Sequence, residues 1–346
     1  MREHPAPHGI PRSRGAHESA DSDAGSDADV HSDFEVVVVG GGAAGLSAAL
    51  VLGRARRRAA VVDAGQPRNA PAAHMQGFLG SDGLTPADLL AKGRAEVTGY
   101  GVELIAGAVE AITACPTRPG SRRRFLLRLA DGSRVRARRV LVTTGLRDDI
   151  PDLPGVRERW GRDLLHCPYC HGYEVADQPL GVLGGTPEAL AHAHLIRQWT
   201  NDVVLFTNGS ILSAHQRELL AARAIGIVTA PVIRLAVSED RLIGVEVGDG
   251  RVVPRTAVFV RPEFVPNDTL LTDLGCATGP NGWVSVDATG ATSVPDVWAA
   301  GNAVNPRAQV ITAAGEGSAA AIAINNDLVE EDLPIAVTNF RLGLPV

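Results

Sequence analysis

Phe34-Glu35-Val36-Val37-Val38-Val39-Gly40-Gly41-Gly42-Ala43-Ala44-Gly45 is the stretch that decides the architecture of the chain. Residues 34–39 are almost all apolar and rich in β-branched valine, as in a strand buried on both faces. The glycines follow at once, and the alanine-rich run over 43–53 reads as a helix. After Arg54-Ala55-Arg56-Arg57-Arg58 a second strand is expected over 59–63, ending on Asp63. In Gly40-x-Gly42-x-x-Gly45 the first glycine permits a tight turn. The second lets the backbone approach a pyrophosphate, and the third lets helix and strand pack closely. Ala44 belongs to the first turn of that helix, whose free N–H groups and positive dipole end favour phosphate. Asp63 is placed to accept hydrogen bonds from a ribose. Strand, glycine turn, helix and acid in this order indicate dinucleotide binding.

The rest of the chain extends this unit. Strands are expected over 102–109, 125–129, 134–136 and 139–144, and a helix over 82–97 with Thr85 as cap and Pro86 at its first position. Residues 115–124 read as a basic loop. Pro151 to Gly155 and Arg261 to Pro266 read as two crossings between domains. Between them lies a second strand–turn–helix–strand pattern, with Gly184-Gly185-Thr186-Pro187 at its turn. A last helix is expected over 308–328. The fold is therefore α/β, with two Rossmann-like nucleotide domains of the three-layer ββα type. The second (153–263) is inserted into the first (34–152 and 264–332), with a disordered leader over 1–33 and a tail over 333–346.

Composition narrows the function. The 346 residues carry a net charge of −6, which argues against a nucleic-acid partner. No run of about 18 apolar residues suggests a membrane span, and residues 1–33 lack the apolar core of a signal peptide. A cytoplasmic location is expected. Four cysteines are too few for a disulfide framework, and two of them, Cys115 and Cys276, stand alone as ordinary small hydrophobes.

The other two form Cys167-Pro168-Tyr169-Cys170-His171: two thiols one helical turn apart, followed by an imidazole. Thiol–disulfide exchange needs a thiolate, and a neighbouring histidine can take or return the proton near neutral pH. Three rivals compete. C-x-x-C-H is also a haem-attachment pattern, but that chemistry requires export. A zinc site needs four ligands, and only one cysteine pair with His166 and His171 is at hand. A structural disulfide suits an exported chain better than a cytoplasmic one. A redox-active dithiol is the reading adopted, with no metal.

Together these marks resemble the thioredoxin-reductase-like FAD flavoproteins, class II of the pyridine nucleotide-disulfide oxidoreductases. The resemblance covers about residues 34–330. It rests on the first glycine turn, Thr143-Thr144-Gly145, the dithiol, Ser293-Val294-Pro295-Asp296-Val297-Trp298-Ala299-Ala300-Gly301-Asn302, Gln309 and Ala314-Gly315-x-Gly317. Cys-Pro-Tyr-Cys-His-Gly-Tyr-Glu is similar to the dithiol oxidases of the gliotoxin and holomycin type, with His171 where reductases usually place an aspartate. The resemblance implies FAD in the first domain and NADPH or NADH in the second. It implies that Cys170 lies against the flavin and bonds its reactive carbon, that Cys167 exchanges with substrate, and that His171 is general acid/base. Gln309 and Val310 would lie near the flavin's pyrimidine edge. Gly301 and Asn302 would approach its ribityl and phosphate part, with Thr144 and Gly145 beside them. A homodimer is implied as well.

The second glycine turn departs from the family pattern. Thr186 stands at the third position of the Gly-x-Gly-x-x-Ala pattern, where a glycine is expected, and Thr207-Asn208-Gly209 offers no cation where a 2′-phosphate clamp belongs. This leans the reading towards oxidation of a dithiol substrate. The alternatives are an NADPH-dependent thioredoxin-disulfide reductase and a flavin-bearing redox sensor. The substrate would be a small dithiol or disulfide molecule, or a thioredoxin-like protein.

Overall fold

The computed structural model describes residues 30–115 and 124–344, so most of the expected leader and of the basic loop lies outside the described residues. In chain order come β1 (Val30–Val39), α1 (Ala43–Arg54), β2 (Ala59–Asp63), α2 (Pro86–Gly99), β3 (Glu103–Ala106), β4 (Val109–Ala114), β5 (Phe125–Leu129), β6 (Arg134–Val142) and β7 (Leu146–Asp149). Then follow α3 (Val156–Arg159), β8 (Leu164–Leu165), α4 (Pro168–His171), β9 (Leu180–Leu183), α5 (Pro187–Ile196), β10 (Val203–Phe206), α6 (Ala214–Ala222), β11 (Gly226–Val228), β12 (Val232–Ser238), β13 (Arg241–Val247), β14 (Val252–Pro254) and β15 (Ala257–Val260). The chain closes with β16 (Glu263–Pro266), α7 (Thr269–Asp273), β17 (Val297–Ala299) and α8 (Val310–Arg341).

The first sheet has the order β3-β2-β1-β6-β5-β4, with β17 also pairing β6. β1, β2, β3, β6 and β17 run parallel, and β4, β5 and β6 form an antiparallel meander. The valines of β1 explain its central place. Val36 and Val38 point into the core shared with α1 and α8, while Val37 and Val39 point into the core shared with the meander. A strand with two apolar faces can only sit inside a layered fold. The second sheet, β11-β10-β9-β15-β8, is parallel and repeats the plan on a smaller scale, with the antiparallel sheet β12-β13-β14 packed beside it.

The two crossings meet. β7 and β16 pair antiparallel, Arg147 opposite Val265 and Asp148 opposite Phe264, so both connections between the sheets run as one two-stranded ribbon. Four sequence expectations need correction. β1 begins at Val30 rather than Phe34, because Val30, Ser32 and Asp33 pair with the start of β6; the leader is shorter than 1–33. The strand expected over 102–109 is broken at Gly107, whose φ of +152 turns the chain from β3 into β4. The strands expected over 134–136 and 139–144 are one strand, β6, paired with β5 at its start and with β17 at its end.

The fourth concerns the last helix, expected to end at 328 with a separate tail over 333–346. Instead α8 continues to Arg341 through Pro334. Arg138 of β6 reaches Glu331 and Asp332, and Arg139 reaches Asp327 and Glu331. Both arginine side chains are buried, so these carboxylates supply the charges they need and fasten the helix to the sheet just before the proline.

Candidate active site

The first glycine turn is built by close contact. A side chain on Gly45 would place its Cβ 1.9 Å from the Gly40 carbonyl oxygen, and Gly40 itself has φ +106. Gly42 differs: a Cβ there would meet nothing within 4 Å. The turn is thus packed behind and open in front, the shape a pyrophosphate needs. Gly317 completes the packing, since a Cβ on it would lie 2.0 Å from the Ala44 carbonyl oxygen; this lets α8 press against α1. Asp63 accepts from Gly41 N at 3.0 Å and pairs with Arg94 at 3.1 Å. Its second oxygen remains beside the cavity with a cation as neighbour. These residues fit FAD.

One cavity of about 870 Å³ runs from this turn to the dithiol. Of the residues expected to hold the cofactor, Gly40, Gly42, Ala44, Asp63, Thr144, Gly145, Gly301, Asn302, Gln309 and Val310 all line it. Gly45 does not, consistent with its place behind the turn. Gln309 stands at the N-cap position of α8 without a side-chain cap bond, so the open N–H groups and positive end of a 32-residue helix face the cavity. Two details refine the sequence reading. The Thr144 hydroxyl donates to the Asn267 carbonyl, tying β6 to the returning crossing. The Asn302 amide donates to the carbonyls of Asn305 and Ala308, closing the loop before α8.

Cys167 and Cys170 are joined as a disulfide with Cα atoms 5.3 Å apart, Cys167 capping the short helix α4 and Pro168 opening it. Both sulfur-bearing residues and His171 line the same cavity as the cofactor residues. Burial lowers the pKa of His171 below the usual histidine value, partly offset by Glu174. The ring is therefore neutral and able to take a proton at neutral pH. Among the described residues, no group of three or more histidine, cysteine or acidic side chains could hold a metal.

A chain of contacts that the sequence did not suggest links the cofactor residues to the dithiol. Arg68 makes two hydrogen bonds to Asp148 of β7, at 2.6 and 2.8 Å, and approaches Asn302 Oδ1 at 3.3 Å. Its guanidinium sits 5.0 Å over the ring of Phe264 in β16, which meets His166 edge-on at 5.0 Å. His166 precedes Cys167. His192 of α5 lies 6.2 Å from His166 and is buried; burial first, then the charges of His166 and Arg261, lower its pKa to about 4. Only side chains brought together by the crossing ribbon make this chain, so no local motif could signal it.

The second glycine turn does not fit a pyrophosphate. Pro187 has no N–H, Thr186 caps Ala189 N at 3.2 Å, and Glu188 turns its carboxylate onto Thr186 and its own N–H. The first helical turn therefore offers a phosphate fewer donors than an open helix end, and a negative charge stands among them. Ser210 also crowds the turn: a Cβ on Gly185 would lie 2.2 Å from the Ser210 Cβ. Asn208 Oδ1 accepts from Val232 N, and Arg217 donates to the Leu212 carbonyl, so neither serves a ligand here.

Comparison with known proteins agrees with this architecture. Residues 34–317 match the family model described as pyridine nucleotide-disulphide oxidoreductase. The chain is 32% identical to thioredoxin reductase tcpT of Claviceps purpurea over 78% of this chain and 86% of that one. It is 29% identical to thioredoxin reductase sirT of Leptosphaeria maculans over 87% and 96%. A match to a probable thioredoxin reductase of Arthroderma benhamiae, 33% identical, spans about half of this chain and 44% of that longer one. Among solved structures, HlmI superposes with a TM-score of 0.86 at 56% identity, covering 90% of this chain and 97% of its own. A putative thioredoxin reductase TrxB from Bacillus anthracis superposes with a TM-score of 0.80 at 33% identity, covering 86% and 99%. With its cysteine pair set beside a dinucleotide cavity, the chain belongs to the pyridine nucleotide-disulphide oxidoreductases, as a thioredoxin-reductase-like enzyme of a family that uses FAD and NAD(P)H and acts on sulfur groups.

Proposed function

We propose that the enzyme oxidises a dithiol substrate to its disulfide. One observation carries this: the Cys167–Cys170 disulfide shares a cavity with the FAD-binding turn, while the second turn is crowded by Ser210 and has its helix start capped by Thr186. A substrate thiolate attacks Cys167 Sγ, and Cys170 Sγ leaves as thiolate. The second substrate sulfur, deprotonated by His171, attacks the first and releases Cys167. Two electrons and two protons leave the substrate: the electrons reside on the cysteine pair, the proton of the first thiol has gone to solvent and that of the second to His171. FAD, held by the first glycine turn and the start of α8, would supply the acceptor for that electron pair, with dioxygen or another oxidant as the final acceptor. Residues 34–152 and 264–332 hold FAD on this reading, and 153–263 present the dithiol.

The test is Cys167→Ser. Dithiol-dependent oxygen consumption is expected to fall to background, with the flavin spectrum retained; a variant with full turnover would remove the mechanism. The names of tcpT and sirT favour a second reading, an NADPH-dependent thioredoxin reductase, in which the same exchange runs backwards. We further infer a homodimer in the cytoplasm. Val329, Leu333, Val337, Phe340 and Leu344 form an exposed apolar stripe along the end of α8 and beyond, at a spacing suited to pairing with a second copy. Cys115 and Cys276 are free thiols, as a reducing compartment would keep them.

A further inference from the structure

β9 and β15 are neighbours, while the chain after β9 moves away to β10 and β11. The crevice beyond their carboxyl ends is therefore the switch point where a sheet of this kind receives its ligand. Here the helix beside that crevice begins with Pro187, has Ala189 N capped by Thr186, and carries the Glu188 carboxylate at its start. The crevice is not empty of function, because it opens into the dithiol cavity: His166, His192, Leu195 and Arg261 line the same space as Cys167.

Arg261 follows directly on β15 and is exposed at the rim. It has no ion pair or side-chain hydrogen bond among the described residues. The nearby Glu188 carboxylate is already bound to Thr186 and to its own backbone N–H. Behind it, His192 is buried and its Nδ1 has no hydrogen-bond partner. A buried polar atom without a partner is uncommon and costly, and here it belongs to a ring lining the cavity. His166 joins the two ends: its Nδ1 lies 3.3 Å from the Val260 carbonyl oxygen. Cys167 and Arg261 are the next residues along on either side of that contact, each one Cα step of about 3.8 Å away. A cation and an unpaired imidazole nitrogen thus stand within a short chain's reach of the exchanging sulfur.

We propose that this crevice is a substrate subsite for an anionic group, so that the preferred substrate is a small dithiol carrying a carboxylate. Arg261 binds the carboxylate as a charge-assisted hydrogen bond, and His192 supplies the second polar contact. The inference rests on the dithiol-oxidoreductase reading and gives the inserted domain a recognition role in place of nucleotide binding.

Dihydrolipoate and dihydrolipoamide test it, since they share one dithiol and differ in the charged end. With the FAD-loaded enzyme, kcat/KM is expected to be roughly tenfold higher for dihydrolipoate, the size of one charge-assisted contact at a partly exposed site. In Arg261→Gln the ratio should fall to about one, and Arg261→Lys should restore part of it. Equal kcat/KM values for the two probes in the wild-type enzyme, or an unchanged ratio in Arg261→Gln, would overturn the proposal. NADPH competing with dihydrolipoate in the wild type but not in Arg261→Gln would also overturn it, assigning the cation to a nucleotide phosphate. Anaerobic flavin bleaching separates the two layers. If neither probe bleaches the flavin, the underlying dithiol reading fails; if both bleach it equally well, only the subsite fails.

Discussion

His192 offers a quantitative test of the packing around the dithiol. Its ring is buried between α5 and β15, edge-on to Phe259 at 5.9 Å and near His166 and Arg261, and its pKa falls to about 4. In the unfolded chain it returns to the ordinary histidine value near 6.5. Above pH 6.5 both states hold the ring neutral and its full contribution is present. As pH falls from 6.5 towards 4 the unfolded chain gains a proton that the folded protein refuses, so stability is lost. Linkage gives a loss of about 2 kcal/mol by pH 5 and about 3 kcal/mol by pH 4. That is a large part of the ~5–15 kcal/mol by which a domain is stable. Carboxylates titrate over part of the same range, so the quantity to measure is the difference between wild type and His192→Gln in urea unfolding followed by circular dichroism. The variant should be relatively more stable by about 2 kcal/mol at pH 5 than at pH 7.5. A ring NMR titration of the native protein should place the His192 midpoint near 4. A midpoint at or above the ordinary histidine value, or a pH-independent difference between the two proteins, would refute the argument.

Further outcomes follow from the same geometry. Gly45→Ala drives a methyl into the Gly40 carbonyl and should cost about 3 kcal/mol or more of stability, seen as a lowered melting temperature with or without FAD. Gly42→Ala should leave the fold intact, because its methyl meets nothing, yet weaken FAD binding roughly tenfold by occupying the open face of the turn, read by flavin release on dilution. Arg68→Met leaves the nearly buried Asp148 carboxylate without its partner and should cost about 2 kcal/mol, measured by thermal unfolding. His171 acts as a base only when neutral, so kcat/KM for a dithiol should rise with pH through a midpoint below the ordinary histidine value, and His171→Gln should lose that limb.

Much of this molecule is legible in order along the chain. The valine run, the glycine turn and Asp63 place β1, α1 and β2, because each signal is local and each residue's job is set by neighbours close in sequence. Thr85 caps α2 as its position before Pro86 implies. The dithiol is equally plain. What escapes is whatever depends on distant partners. β6 reads as two strands until β5 and β17 are seen to share it. The last helix reads as ending at 328 until Arg138 and Arg139 are seen to pair with Asp327, Glu331 and Asp332 beyond it. Arg68, His166, His192 and the stretch from Arg261 to Phe264 lie far apart in sequence and meet only because two crossings form one ribbon. The weakness of the second glycine turn shows in Thr186 and Thr207-Asn208-Gly209. The physical reason, a helix end that caps itself, appears only in three dimensions.

The central claim, that electrons enter through the Cys167–Cys170 pair from a dithiol rather than from a nicotinamide, has one direct measurement. Purified FAD-loaded protein is titrated anaerobically with a model dithiol, with NADPH and with NADH in separate experiments, and the visible flavin band is followed. The account predicts rapid bleaching by the dithiol, abolished in Cys167→Ser, and slow or absent bleaching by either nucleotide. Rapid bleaching by NADPH with little response to the dithiol would contradict it and return the enzyme to the reductases.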